Sequence, residues 1–370
     1  MGRPEVHDVV IVGTGPGGGM AACRLAGRGL NVLVLEKDHL PRPKACGGAM
    51  PGYVRHLLDW SIEPLIRASV DTQLYRYDHS DPARQVSMPD PMILVDRPSF
   101  DRHFIDRAVR RGGGRIALRQ GAAVRHADED DDGVTLTLRT AETIRARYVI
   151  AADGASSVVA RSAGLYLRSA GAAVDAAVHV RNDVFAAERH RATFNVHCVD
   201  AGYGWIFPKD DHLSCGVGMW RKPRRLLAEL DTFLDRALPR GSITDIARLS
   251  HPVPVFQGHH RVATRRICLV GDAAQLVDPI LGEGIRYAIQ SGRLAADVVS
   301  ALCTPDILDE IGQQPTGTRD DLATLHARHG DCGTYNTIIR HTIARELNLI
   351  RLNGRDFLEN PGAVYSALVA

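Results

Sequence analysis

The sequence predicts an α/β protein. It joins a Rossmann-like dinucleotide-binding domain to an α+β domain with an antiparallel sheet, and ends in a helical C-terminal segment. Three observations predict this. Val9 to Glu36 reads as strand, glycine turn, helix, strand and terminal acid. Two later apolar strands, Tyr148 to Ala152 and Ile267 to Val270, run into Asp153-Gly154 and Gly271-Asp272. Between them, from about Ala173 to Phe256, the texture changes to long strands with one helix.

The first unit carries the most information. Gly13, Gly15 and Gly18 stand at GxGxxG spacing after the strand Val9 to Val12. The first glycine allows a tight turn, the second lets a pyrophosphate approach the backbone, and the third lets the helix pack on the strand. Phosphates then sit at a helix N-terminus, where free N–H groups and the dipole favour anions. Glu36 follows Gly18 by eighteen residues, close to the offset of about 20 for a ribose-binding acid. A carboxylate there accepts from a 2′-hydroxyl and repels a 2′-phosphate, which favours FAD or NAD over NADP. The alternative is a glycine-rich turn with no ligand.

After Glu36, three prolines and the Gly47-Gly48 pair make residues 37–51 a shaped loop. A short helix is expected from Gly52 to Trp60. A hairpin is expected between Gln73–Asp78 and Arg84–Met88, turning at Ser80-Asp81-Pro82. Met92 to Val95 reads as a further strand. Asp96 or Arg97 then caps a helix with Pro98 in its first turn and Phe100, Phe104, Ile105, Ala108 and Val109 as its apolar stripe. Ala122–His126, Val134–Arg139 and Thr143–Ala146 read as short strands. The five acids Asp128 to Asp132 read as a solvated turn. Ala173–Val180, Ala192–Val199, Gly204–Pro208 and His212–Met219 suggest the antiparallel sheet, with a helix from Pro223 to Ala237. A helix is expected from Ile285 to about Leu302, a linker from Ala301 to Gly317, and helix again over Asp321 to Leu352.

Composition sets limits. The formal charge is +2, so no electrostatic footprint for nucleic acid is present. Seven cysteines without a CxxC pair argue against a disulfide framework, a zinc ribbon or an iron–sulfur cluster, and no metal site is expected. They fit a reducing cytoplasm. No signal peptide and no apolar run long enough to span a bilayer is visible, which leaves peripheral attachment at the inner membrane face open. The oligomeric state is not readable.

Asp153-Gly154 and Gly271-Asp272 supply polar groups at strand ends far apart in sequence. A long dinucleotide lying across the carboxyl ends of several strands needs such groups. FAD is long enough to use all three places. Asp272 then bonds the ribityl chain, and the helix after Gly284 aims its positive end at the flavin N1–C2=O edge. Alternatively Asp272 is a helix cap and Asp153 a turn residue.

These features, with the discontinuous layout, resemble the FAD fold of p-hydroxybenzoate hydroxylase and its relatives, the GR2 type. Within that group, Lys44-Ala45-Cys46-Gly47-Gly48-Ala49, Tyr203-Gly204-Trp205-Ile206-Phe207-Pro208 and Gly282-Glu283-Gly284-Ile285 resemble the geranylgeranyl reductase family. The resemblance runs from Asp8 to about Leu302. Gln275 departs from it, where the family often has glycine. The resemblance implies tightly bound FAD, with contacts at Gly13, Gly15, Gly17, Gly18, Glu36, Lys37, Cys46, Gly47, Ala49, Arg97, Ala123, Asp153, Asp272, Gly282, Gly284 and Ile285. It implies a discontinuous FAD-binding domain over 1–50, 93–165 and 262–302. Residues 51–92 and 166–261 then form the substrate domain, and 303–370 the C-terminal segment. It also implies a flavoenzyme that saturates carbon–carbon double bonds of a prenyl chain on a lipid, pigment or quinone, with NADPH or another reduced carrier as transient donor.

An isolated prenyl alkene is not electrophilic. Hydride from flavin N5 therefore needs a proton to lead or accompany it, with positive charge building on the tertiary carbon. Tyr203, Trp205 and Phe207 alternate, so a strand presents all three on one face. Aromatic faces stabilise a desolvated cation by about 0.5–2 kcal/mol each and wall an isoprenoid chain. Tyr203 and Trp205 are taken as catalytic candidates, and Phe207 as core. Cys46 is the third candidate, either as proton donor or as a small group packed against the ring. Tyr203 and an ordered water are rival proton donors. His251, His259 and His260 are assigned no role. A monooxygenase or halogenase on the same fold, and a non-enzymatic prenyl-binding protein, are the alternatives.

Overall fold

The computed structural model describes residues 6–79, 83–168, 171–220, 225–304 and 331–353. The expected turn at Ser80 to Pro82, the first residues of the helix expected from Pro223, most of the linker and the start of the tail helix lie outside them.

In chain order the elements begin with β1 (Val6–Val12), α1 (Pro16–Leu25), β2 (Val32–Leu35), β3 (Ala49–Met50), β4 (Ile66–Tyr77), β5 (Arg84–Val95), α2 (Arg97–Arg111) and β6 (Ile116–Arg119). Next come β7 (Val124–Glu129), β8 (Val134–Leu138), β9 (Thr143–Ala151), α3 (Val158–Ser162), β10 (Gly171–Val180), α4 (Asn182–Glu188), β11 (Arg191–Val196), β12 (Gly202–Pro208) and β13 (Leu213–Met219). The chain continues with α5 (Leu226–Ala237), β14 (Ile243–Val253), β15 (Ile267–Leu269), α6 (Ile285–Cys303), α7 (Gly333–His341) and α8 (Ile343–Asn353).

One sheet has seven strands in the order β6-β2-β1-β9-β8-β7, with β15 also on β9. Its centre is parallel: β2 and β9 flank β1, and β15 runs parallel to β9. The second sheet has eight strands, β14-β10-β13-β12-β11-β4-β5-β3. It is antiparallel except between β11 and β4.

Some expected elements fuse. Thr143–Ala146 and Tyr148–Ala152 form the single strand β9. Its first half pairs with β8 and its second half with β15. Arg84–Met88 and Met92–Val95 are likewise one strand, β5. Its prolines 89 and 91 fall where the β4 register shifts, between Met92↔Val70 and Ser87↔Thr72. At such an irregularity a proline's missing N–H breaks no ladder bond. The residues expected as a short helix from Gly52 form a 3-10 turn, Gly52–Leu57. Of the acidic run, only part is a turn. Asp128 and Glu129 belong to β7, and Glu129 accepts from Arg266 N at 3.1 Å.

Asp96 caps α2, its carboxylate accepting from Ser99 N at 3.4 Å, with Pro98 in the first turn. Phe100, Phe104, Ile105 and Ala108 are buried as expected. Val109 is 37% exposed, and Asp101 takes its place in the buried stripe. Helices α1 and α6 cross closely because both present glycine: a Cβ on Gly292 would lie 2.2 Å from the Gly17 carbonyl oxygen. Helix α7 docks on the first sheet. Tyr335, fully buried, donates to Leu269 O at 2.9 Å, and Asn336 accepts from Val262 N and Ala263 N. No helix among the described residues is long and apolar enough to cross a membrane.

The α2 stripe is testable. Phe104 packs on Gly19, Phe100 and Trp60. Phe104→Ala is expected to cost about 3–5 kcal/mol of unfolding free energy in urea, and Val109→Ala to stay within about 0.5 kcal/mol. Equal losses at both positions would contradict the assignment.

Candidate functional site

The carboxyl ends of β1, β2, β9 and β15 lie side by side, and the glycine turn opens onto them. Gly13 has φ +98°, and a Cβ there would meet Ala152 O at 2.3 Å. A Cβ on Gly18 would meet Gly13 O at 2.0 Å, whereas one on Gly15 would meet nothing within 4 Å. Two glycines are thus needed for tight packing and one faces open space at the N-terminus of α1, where the first N–H groups lack intrahelical partners. Gly17 faces α6 and Val270.

Glu36 ends β2 and is buried. Its carboxylate accepts from Thr14 N at 3.0 Å, from the Thr14 hydroxyl and from Asp38 N at 3.1 Å, with Arg42 Nε at 3.4 Å. Burial pushes its pKa up, but Thr14 and Arg42 outweigh that and hold it below the usual carboxylate range. Arg42 also approaches Asp101 at 3.5 Å, and Asp101 forms a two-pronged pair with Arg97 at 2.9 Å on each prong. Arg97 in turn reaches Cys46. Ala123 lies beside Glu36, because Ala122 N donates to Glu36 O at 2.8 Å. Lys37 points away, its side chain 71% exposed.

Asp153 follows β9. One carboxylate oxygen caps α3, accepting from Val158 N at 2.7 Å and Val159 N at 3.2 Å. The other is buried without a partner among the described residues. Burial pushes this carboxyl up. Asp272 stands in the turn after β15, beside the α6 N-terminus. Its Oδ1 lies 3.5 Å from the position of a Cβ on Gly284, the N-cap of α6. Its Oδ2 lies 4.0 Å from Lys44 Nζ and 3.9 Å from His251 Nε2. Lys44 and His251 touch each other. Burial lowers Lys44 to about 8 and, with Lys44 beside it, His251 to about 4. Gln275 takes the left-handed φ of +53° that glycine favours, and its side chain is anchored on Leu167 O. The loop keeps its turn despite the substitution.

The second sheet supplies the other wall. Tyr203, Trp205 and Phe207 of β12 share one face, with Phe194, Tyr75 and Trp220 around them. Room comes from β13: Gly216 pairs with Trp205, and Gly218 with Tyr203. The Cys46 loop closes onto this face. A Cβ on Gly47 would lie 2.8 Å from the Phe207 ring and 3.2 Å from Trp205 Nε1. Phe207 is as buried as Tyr203 and Trp205 and meets the same loop. The Tyr203 hydroxyl donates to Leu281 O, and Trp220 Nε1 to Ile280 O at 3.0 Å, which ties the aromatic face to the loop ahead of α6. Burial drives the Tyr203 pKa well up. Ala49 pairs with Leu94 in the second sheet, and Ile285 begins α6.

The open glycine turn, Asp153 and the half-open Asp272 therefore stand at the carboxyl ends of neighbouring parallel strands, the placement an extended dinucleotide needs. The FAD binding domain family model matches residues 6–304. Digeranylgeranylglycerophospholipid reductase of Methanothrix thermoacetophila is 32% identical over 94% of this chain and 89% of its own. Menaquinone reductase of Mycobacterium tuberculosis is 30% identical over 81% and 78%. This chain belongs to the geranylgeranyl reductase family of FAD-dependent oxidoreductases. A geranylgeranyl bacteriochlorophyll reductase-like protein from Thermoplasma acidophilum shares the fold at TM-score 0.70, with 24% identity over 92% of this chain and 88% of that one. Halogenases and a monooxygenase share it too.

Sequence reasoning missed Arg42, Asp101 and the ionic contacts of Lys44 and His251. Only Asp101 left a local signal, four residues after Arg97 on one helix. Lys44 and His251 lie 207 residues apart.

Two outcomes are expected at the glycine turn and at Glu36. Gly18→Ala should lose bound FAD, read as flavin absorbance after gel filtration, because its Cβ cannot coexist with the Gly13 carbonyl. Glu36 has a depressed folded pKa, so its stabilisation is full above its ordinary value of 4.5 and is lost as pH falls through the folded value. Glu36→Gln should flatten that acid limb of the stability profile. An unchanged limb would contradict the burial and pairing of Glu36.

Proposed function

We propose that the protein saturates carbon–carbon double bonds of a prenyl chain carried by a lipid, pigment or quinone. The observation that carries this reading is the meeting of the Cys46-Gly47 loop with the aromatic face of β12, beside Asp272 and the start of α6. The chemistry that FAD supplies when bound is hydride from N5. The residues of this chain do the rest. Gly13, Gly15, Gly18 and Glu36 would hold the pyrophosphate and ribose end. Asp272, Gly282, Gly284 and Ile285 would hold the ribityl and pyrimidine end, and Cys46, Gly47 and Ala49 would hold the ring end. Trp205 and Tyr203 wall the prenyl chain and stabilise positive charge on its tertiary carbon.

Tyr203 already gives its proton to Leu281 O. That favours a role in fixing the loop and leaves Cys46 or a water to deliver the proton. No second nucleotide-binding unit is present among the described residues, so NADPH or another reduced carrier acts transiently. The prenylated substrate brings the protein to a membrane surface from the cytoplasm.

The test is anaerobic. Chemically reduced protein is mixed with prenyl phosphates, prenylated pigments and prenylated quinones, and products are read by mass spectrometry. A gain of two hydrogens per double bond supports the proposal. Strict dependence on oxygen sinks it and favours a monooxygenase. Trp205→Leu should lower kcat by about 2–30-fold, the equivalent of 0.5–2 kcal/mol of cation stabilisation, while flavin stays bound. An unchanged kcat would remove Trp205 from the chemistry.

A further inference from the structure

Asp175 stands in β10 opposite Gly216 of β13. Trp205 lies across that glycine, so close that a Cβ on Gly216 would be 2.1 Å from Trp205 Cζ2. The indole therefore reaches one strand further, and Nε1 donates to Asp175 Oδ1 at 3.3 Å. Ser214 Oγ donates to the same oxygen at 2.6 Å. A Cβ on Gly47, next to Cys46, would lie 3.2 Å from the same Nε1, so the loop rests on the indole edge that Asp175 holds. Two strands thus bond to one acid, and the loop rests on one of them. Aspartate is a poor strand residue, and a carboxylate in a sheet interior is costly unless it is hydrogen-bonded. Burial pushes the Asp175 carboxyl up, against Ser214 and the nearby Lys209. On the far side of the loop, Val95 N donates to Gly48 O at 3.0 Å. That bond fixes the C-terminal side of the glycine pair, while Gly47 on the other side rests on the indole edge that Asp175 holds.

We propose that Asp175 is a positioning residue that sets the Cys46-Gly47 loop against the face of Trp205. Its consequence for turnover rests on the prenyl reductase reading; its structural part does not. One carboxylate holds the indole, and through the indole edge it seats the loop that carries Cys46.

The test uses the full-length, FAD-loaded protein. Iodoacetamide alkylation of each cysteine is followed by peptide mass spectrometry, alongside prenyl saturation. Asp175→Ala is expected to speed alkylation of Cys46 about tenfold, as the loss of one or two hydrogen bonds would. Half-buried Cys198 and Cys303 should keep their rates. Asp175→Asn, which retains an acceptor oxygen for the indole and the hydroxyl, should stay within about threefold of the unmodified protein. Should Asp175→Ala not retain flavin, Asp175→Leu fills the same place without an acceptor and is read in the same way. An unchanged Cys46 rate in the variant lacking the acceptor overturns the proposal. So does a rise at all three cysteines alike, or an Asp175→Asn rate equal to that of Asp175→Ala. If the unmodified protein saturates no prenyl chain, the reductase reading fails while the alkylation result still decides the role of Asp175.

Discussion

A chain of ion pairs runs from Glu36 through Arg42 and Asp101 to Arg97, beside Cys46, and the site depends on it. The side chains of Glu36, Arg42, Asp101 and Arg97 are 3%, 14%, 1% and 7% exposed. Charges this dry are tolerated only in pairs, and removing one partner of such a pair typically costs about 3–5 kcal/mol. The chain spans the loop from 37 to 48, which has no regular structure of its own. One end of that loop follows Glu36, and the other carries the Cys46 thiol. The ion pairs set the separation of those two ends by rigid electrostatic contact with α2.

The second constraint is steric. Glycine occurs where two pieces of backbone, or a backbone and a ring, must nearly touch: Gly13 against Ala152, Gly18 against Gly13, Gly292 against Gly17, Gly216 under Trp205. The first three bring α1 and α6 onto the carboxyl ends of the parallel strands. The last lets a large indole lie flat on the second sheet. Both sheets then present one surface each to the Cys46 loop. The Tyr203 and Trp220 bonds to the Ile280-Leu281 segment fasten the aromatic wall to the start of α6.

Much of this was legible in the sequence because it depends on short spacing. Val9 to Glu36, the α2 cap and stripe, and the alternation of Tyr203, Trp205 and Phe207 are written in neighbouring residues. Some elements were not read at all. Strand β14 is a mostly exposed edge with little alternation, and β6, α3 and α4 are each seven residues or shorter. Strand β9 was read as two because it changes partner midway. The ionic groups that organise the site were the least legible. Lys44 entered only as part of the Lys44-to-Ala49 resemblance, and Arg42 and Asp175 carried no reading of their own. Their partners lie on other elements, and no local pattern marks them. His251 was assigned no role, yet it touches Lys44 and approaches Asp272.

On the proposed function, FAD extends from Glu36 to the Cys46 loop and Trp205. A crystal structure with FAD bound tests this most directly. The adenosine ribose should lie within hydrogen-bond distance of Glu36 and the ribityl chain at Asp272. The isoalloxazine ring should lodge between Gly47 and the α6 N-terminus, with one face open toward Trp205. Density that puts the ring away from Cys46 and β12, or leaves Glu36 bonded only within the protein, would contradict it.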